Sequence, residues 1–170
     1  KTIFVGDTSV NEYPSSEELA EIAISSARVV KLFGFVPKVA FVSHSTFGQP
    51  LTNRTKHIKR AVEILKNKDV DFDFDGDMQP DVALNVEYKE LYPFSSIVGN
   101  ANILIMPGQH SAAISYKMMK SLGNTKVIGP LLIGLGQPIE IAPLRSSTSE
   151  IINLASVAAY SADVIDYKKN

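Results

Sequence analysis

The sequence predicts an α/β fold in three layers, a mainly parallel sheet with helices on both faces. Short, continuously apolar runs at Ile3–Gly6, Val39–Val42 and Ala101–Met106 alternate with longer stretches whose apolar residues recur every three or four positions. Strands apolar on both sides are strands that helices cover on both sides, as crossover connections between parallel strands require. Of 170 residues 45% are apolar and 21% charged, which suffices for a buried core and excludes a disordered chain. Seventeen Lys and Arg against 18 Asp and Glu leave a net charge of −1, which argues against a nucleic-acid partner. The absence of cysteine removes disulfides, cysteine-ligated metals and thiol nucleophiles, and leads us to expect a reducing, cytoplasmic compartment. No apolar run reaches the roughly 18 residues of a membrane span, so no membrane partner is expected.

The elements follow in order. Ile3–Gly6 is a buried strand that enters a polar turn at Asp7-Thr8. Ser15 and Glu18 form a capping box just after Pro14, and Leu19, Ile22, Ala23, Ser26, Val29, Val30 and Phe33 make one packed helical face that stops at Gly34. Val39–Val42 is the second strand and runs into the hydroxyl-rich loop Ser43-His44-Ser45-Thr46-Phe47-Gly48. A helix over 53–67 buries Ile58, Ala61, Val62 and Leu65, and its basic side reads as a solvated outer surface. Asp71 to Asp77 places carboxylates at alternate positions, but the twelfth position from Asp71 is Val82 where a calcium loop needs a bidentate Glu. An edge strand with Phe72 and Phe74 inward and the aspartates outward is expected instead. A short helix is expected over 86–91, a third clear strand over 101–106, and a helix over 111–122 ending at Gly123. Extended segments over 127–134 and 138–141 flank a tight connection at Gly134-Leu135-Gly136, and a second capping box, Ser147 with Glu150, opens a terminal helix. The tail from Asp166 to Asn170 is expected to fray.

Ligands of such sheets bind beyond the carboxyl ends of the strands, which directs attention to the loops at 7–8, 43–48 and 107–111. The 43–48 loop has hydroxyls and backbone suited to oxyanions, yet it lacks the order of a Walker loop. With only His44, His57 and His110 available, a catalytic triad would need His44 or His110 to meet a serine and a carboxylate across the sheet end. Gly-x-Ser-x-Gly, Gly-x-Gly-x-x-Gly and His-Glu-x-x-His are all absent, so no catalytic residue and no metal ligand is assigned.

Four runs resemble phosphate acetyl/butyryltransferases over almost the whole chain: Asp7-Thr8-Ser9-Val10-Asn11, Ser16 to Ala23, Ile128-Gly129-Pro130-Leu131-Leu132-x-Gly134-Leu135, and Ile151 to Ala155. Within that group, Ser43 to Gly48, Asp75 to Asn85 and Tyr92-Pro93-Phe94-Ser95 resemble the carboxyl-terminal transferase-like domain of bacterial NADP-dependent malic enzymes. The resemblance implies an isocitrate/isopropylmalate dehydrogenase-like fold, with residues 1–170 the C-terminal part of that domain in a longer polypeptide. It further implies an N-terminal malic enzyme module that decarboxylates malate to pyruvate with NADP and a divalent metal (Mg or Mn), neither cofactor being held by this segment. Acetyl-CoA or a related acyl-CoA as allosteric effector and a homo-oligomer complete the implied partners.

The same resemblance locates the departures. A Ser-Arg-Gly run of the transferases corresponds to Pro143, Leu144 and Arg145, a second family arginine to Ser121, and a family acid to Glu150. On an extended segment a one-residue offset turns a side chain to the opposite face, so Arg145 reaches the ligand only if the backbone also slips. Each preorganised charge donor is worth about 2.7–4 kcal/mol, or 10²–10³ in rate, so acyl transfer is expected to be very slow while binding survives. The residues expected to contact acyl-CoA or phosphate are Ser43, Ser45 and Thr46 as oxyanion contacts, Gly129 and Pro130 as a close backbone approach, and Arg145, Ser147, Glu150 and Asn153 around the acyl group.

Overall fold

The computed structural model describes every residue except 8, 124 and 168–170. Its elements in chain order are β1 (Phe4–Gly6), α1 (Ser16–Leu32), β2 (Lys38–Val42), α2 (Asn53–Lys66), β3 (Asp73–Met78), α3 (Pro80–Leu84), α4 (Val86–Lys89), β4 (Ile103–Ile105), α5 (Gln109–Leu122), β5 (Leu131–Leu132), β6 (Ile139–Glu140) and α6 (Thr148–Tyr167). Two compact units divide the chain, Lys1–Tyr116 and Lys117–Asn170, with the boundary inside α5.

In the first unit four parallel strands run in the order β1-β4-β2-β3. Side chains alternate across β2 and β4, and the two faces build two cores. Val39, Phe41, Ile103 and Ile105 meet α1 through Leu19, Ala20, Ala23, Ala27 and Val30 and α2 through Ile58, Ala61, Val62 and Leu65. Ala40, Val42, Leu104 and Met106 turn the other way and pack with Met78, Val82, Ala83, Ile97, Ala101 and Ala112. Each fully buried Leu or Ile contributes about 1.5–3 kcal/mol, so this doubly covered sheet holds the unit together and confirms the three-layer α/β expectation.

Capping chemistry sets where α1 begins. Ser15 Oγ accepts from Glu18 N at 3.1 Å, and Ser15 N donates to the Glu18 carboxylate at 2.6 Å, as the sequence predicts. An equivalent pair that sequence reading missed, Thr52 with Thr55, opens α2. Asp7 gathers the N–H groups of Ser9, Val10 and Asn11 at 3.2, 3.1 and 2.9 Å and so shapes the turn after β1. Thr8, expected in that turn, lies outside the described residues.

Three expectations are corrected. β3 is an edge strand with Phe72 and Phe74 on the core, but Asp75 and Asp77 are 7% and 1% exposed rather than solvated. The ladder slips by one residue where Phe41 pairs with Gly76 and Val42 with Met78, and this bulge brings Asp77 and Met78 both indoors. A helix absent from the sequence reading, α3, starts with Pro80 in its first turn, where a missing N–H is harmless. The segments expected to be extended at 127–134 and 138–141 pair over two residues each, antiparallel, as Leu131 with Glu140 and Leu132 with Ile139. Helix α6 continues to Tyr167, and the rest of the tail that was expected to fray lies outside the described residues. No helix among the described residues is long and apolar enough to cross a membrane.

Candidate functional site

In the first unit the hydroxyl-rich loop leaves the carboxyl end of β2 and is stapled to β3. Ser45, fully buried, donates its hydroxyl proton to Asp77 Oδ2, while Gly48 N donates to Oδ1 at 2.9 Å. Thr46 Oγ1 accepts from Gln79 N at 3.2 Å, and Ser43 N donates to Met78 O at 2.9 Å. Ser45 has one O–H, and Asp77 takes it, so Ser45 has no proton left for an oxyanion. Ser43 remains half-buried, its Oγ 3.5 Å from both Ser45 Oγ and His44 Nδ1. Sequence reading missed Asp77 as the organiser of this loop; the glycine before it, a bulge signal inside a strand, was the available clue.

The histidines do not make a triad among the described residues. His57 joins the chain before α1 to α2, with Nε2 donating to Pro14 O at 2.8 Å and Nδ1 3.0 Å from Ser16 Oγ. His44 and His110 are exposed, and no group of three His, Asp or Glu side chains among the described residues could hold a metal ion.

The second unit contains a groove of about 120 Å³ that gathers Gly129, Arg145, Glu150 and Asn153 from the expected set. Pro130 and Ser147 are not on its lining. Gly129 has φ +130, and a Cβ there would come 3.2 Å from Leu131 N, so the chain passes close to itself at this point. Lys120, which sequence reading did not single out, also lines the groove and donates to Glu150 Oε1 at 2.6 Å. That pairing joins residues thirty positions apart, and no helical or strand periodicity could reveal it. Ser147 N and Oγ donate to Glu150 Oε2 at 2.8 and 2.9 Å, and Glu150 N donates back to Ser147 Oγ at 3.3 Å. The expected capping box is therefore present, with its carboxylate also serving the groove.

The one-residue offset of Arg145 turns its side chain over only on an extended segment, and the backbone here is not extended. Residues 143–146 form a turn closed by Ser146 N donating to Pro143 O at 2.9 Å, so strand alternation does not apply there. Arg145 lines the groove, and Leu144 projects fully into solvent. Ser121 is exposed and not on the lining. The groove thus holds two cations and one anion, with Lys120 engaged by Glu150. Among the described residues Arg145 has no carboxylate at salt-bridge distance, so its planar fork of donors is free for an anionic or carbonyl oxygen.

The bond from Lys120, together with the two from Ser147, holds the Glu150 carboxyl down from its usual 4.5 to about 2. Glu150 is therefore an anion throughout the physiological range, too weak a base and too strong an acid for proton transfer at neutral pH. Because the folded value lies below the unfolded one, its stabilisation is complete above about 4.5 and is lost as pH falls through about 2. Carboxyl NMR is expected to place the Glu150 midpoint near 2, and Lys120→Met to move it back toward 4.5; a midpoint already at 4.5 in the unsubstituted protein contradicts the pairing.

Comparison with known proteins gives the following. A profile of the phosphate acetyl/butaryl transferase family matches residues 1–159. The NADP-dependent malic enzyme of Rhizobium meliloti is 48% identical across 95% of the chain, which spans 21% of that protein. The phosphate acetyltransferase of Bacillus subtilis is 37% identical across 92% of the chain, which spans 49% of it. The crystal structure of a phosphotransacetylase from Streptococcus pyogenes matches with a TM-score of 0.88 at 34% identity, covering 94% of this chain and 49% of that one. The chain therefore spans about a fifth of the malic enzyme and about half of the transferases.

Proposed function

The chain belongs to the phosphate acetyl/butaryl transferase family, and from that premise we propose that it is a regulatory and oligomerisation domain of a cytoplasmic NADP-dependent malic enzyme. The parent reaction is the oxidative decarboxylation of malate to pyruvate, with NADP and a divalent metal (Mg or Mn) held by the N-terminal malic enzyme module. This domain binds acetyl-CoA or a related acyl-CoA as effector and has no complete acyltransferase site of its own. The 48% identity to a malic enzyme supports the parent assignment. The observation that carries the rest is the Lys120–Glu150 pair beside Arg145 in one groove.

A single free guanidinium suffices to orient a phosphate or thioester oxygen. Turnover needs charge stabilisation that grows in the transition state, and here a locked carboxylate cancels the second cation while Ser121 stands where the family has another arginine. Affinity draws on many contacts and outlasts such losses. An effector acts only through a difference in affinity between two states, and linkage makes the effect mutual. Titration of the full-length enzyme with acetyl-CoA is expected to show affinity falling about 5-fold or more when malate and NADP are present. Arg145→Ala is expected to weaken acetyl-CoA about tenfold in either condition. Identical affinities with and without malate and NADP would remove the regulatory reading.

An active phosphate acetyl/butyryltransferase is the second reading, and one observation favours it. Arg145 lies on the groove despite its offset in sequence, which supports a cation available to the reaction.

A further inference from the structure

Lys59 and Lys66 stand seven residues apart on α2, two helical turns along one face, and both line a cavity of about 250 Å³ in the first unit. Among the described residues neither has a salt-bridge partner. On the β3 side of the same cavity lies Asp75, 7% exposed. Among the described residues its carboxylate accepts only from backbone, Gly76 N at 2.9 Å and Ser96 N at 2.7 Å, and each oxygen keeps a further lone-pair site. Asp77 adjoins it, satisfied by Ser45 and Gly48 but likewise without a cation at salt-bridge distance among the described residues. Phe47 and Phe94 add an apolar wall, ring centroids 4.8 Å apart and edge-on, and Phe94 is 66% exposed. Glu63, also on the lining, is engaged by Arg60 at 3.6 Å.

The cavity therefore offers two uncommitted cations on the helix side, two buried anions on the strand side and aromatic surface. Asp75 keeps open acceptor sites and the lysines keep open donors, so a ligand that brings opposite charges to both walls gains charge-assisted hydrogen bonds on each. A purely anionic ligand satisfies the lysines but is repelled by Asp75 and Asp77, and a purely cationic one reverses the problem. We propose that this cavity binds a small zwitterion with an apolar side chain, of the free α-amino acid class. Its ammonium sits on Asp75, its carboxylate on Lys59 and Lys66, and its side chain on Phe47 and Phe94. The residues lining this cavity all belong to the first unit, and nothing in its binding rests on the acyl-CoA reading.

The test titrates the full-length protein, by calorimetry and by NMR, with L-leucine, 3-methylbutylamine, 4-methylpentanoate and adenosine monophosphate, each to about 10 mM. L-leucine is expected to bind, with the amine and the acid, each lacking one charge, about tenfold or more weaker. Lys59→Met with Lys66→Met is expected to bring leucine down to the level of the amine and to leave the amine unchanged. Both lysines are exposed, so the unfolding transition of the double variant is expected to match the unsubstituted protein and to report that folding is intact. No leucine binding, equal binding of the truncated analogues, or adenosine monophosphate binding tighter than leucine would each overturn the proposal.

Discussion

Gly76→Ala is expected to destabilise the first unit by about 3 kcal/mol or more, the largest effect of any single methyl added to this chain. A Cβ at this position would lie 2.7 Å from Phe41 O and 2.8 Å from Phe41 Cβ. Phe41 is 1% exposed in the middle of the sheet and its carbonyl is backbone, so neither atom can swing aside as a flexible side-chain end would. Gly76 also has φ +153, a conformation that side-chain-bearing residues rarely adopt. Overpacking alone costs about 1–3 kcal/mol and backbone strain a further 1–3 kcal/mol, against a typical domain stability of about 5–15 kcal/mol. A loss of 3 kcal/mol lowers the melting temperature by about 10 °C. The internal control is Gly34→Ala, where φ is +81 but nothing lies within 4 Å, so only the strain of the conformation is felt. Thermal unfolding followed by circular dichroism separates the two: equal shifts would mean that the close approach of β3 to β2 is not what requires glycine at position 76.

That contact also explains why the sequence was readable in one place and not in another. The strands at 39–42 and 101–106, the capping boxes of Ser15 with Glu18 and Ser147 with Glu150, and the buried stripe of α2 are local features. Each is decided by residues within a turn or two of one another, and all are present. Asp75 and Asp77 were expected in solvent because a regular strand alternates. Asp75 pairs in register with Ala40 and is buried because that face of the sheet is covered as well, whereas Asp77 is buried with Met78 at the one-residue slip against β2, more than thirty residues away. Strand alternation applies to Arg145 only on an extended segment, and a turn at 143–146 stands there instead. Lys120 went unnoticed because its partner, Glu150, sits on a different helix. Of the expected ligand contacts, four lie together on the groove, while Ser45 and Thr46 are committed to holding their own loop against β3.

The second large effect concerns rate. An ordinary enzyme turns over at about 10 s⁻¹, and losing one preorganised cation removes about 10²–10³ of that. In this chain Arg145 offers a free cation and Lys120 is paired with Glu150, an anion at neutral pH, while on the proposed reading Ser121 stands at the place of the other family arginine. The proposed reading follows from that count: one oriented, unpaired positive charge on the groove where two would stabilise acyl transfer to phosphate. On the proposed reading an acyl-CoA is held through contacts that act equally on ground and transition states, and such contacts lower a dissociation constant without raising a rate. Ser121→Arg is expected to raise any residual turnover, whereas Arg145→Ala is expected to lower it a further 10²–10³-fold or about that, while weakening acetyl-CoA binding only about tenfold.

The most direct measurement is acetyl phosphate formation from acetyl-CoA and inorganic phosphate by the full-length protein, at an acetyl-CoA concentration shown by titration to saturate its binding. We expect saturable binding with turnover below about 0.1 s⁻¹. Turnover near 10 s⁻¹ would make the domain a working transferase and contradict the account.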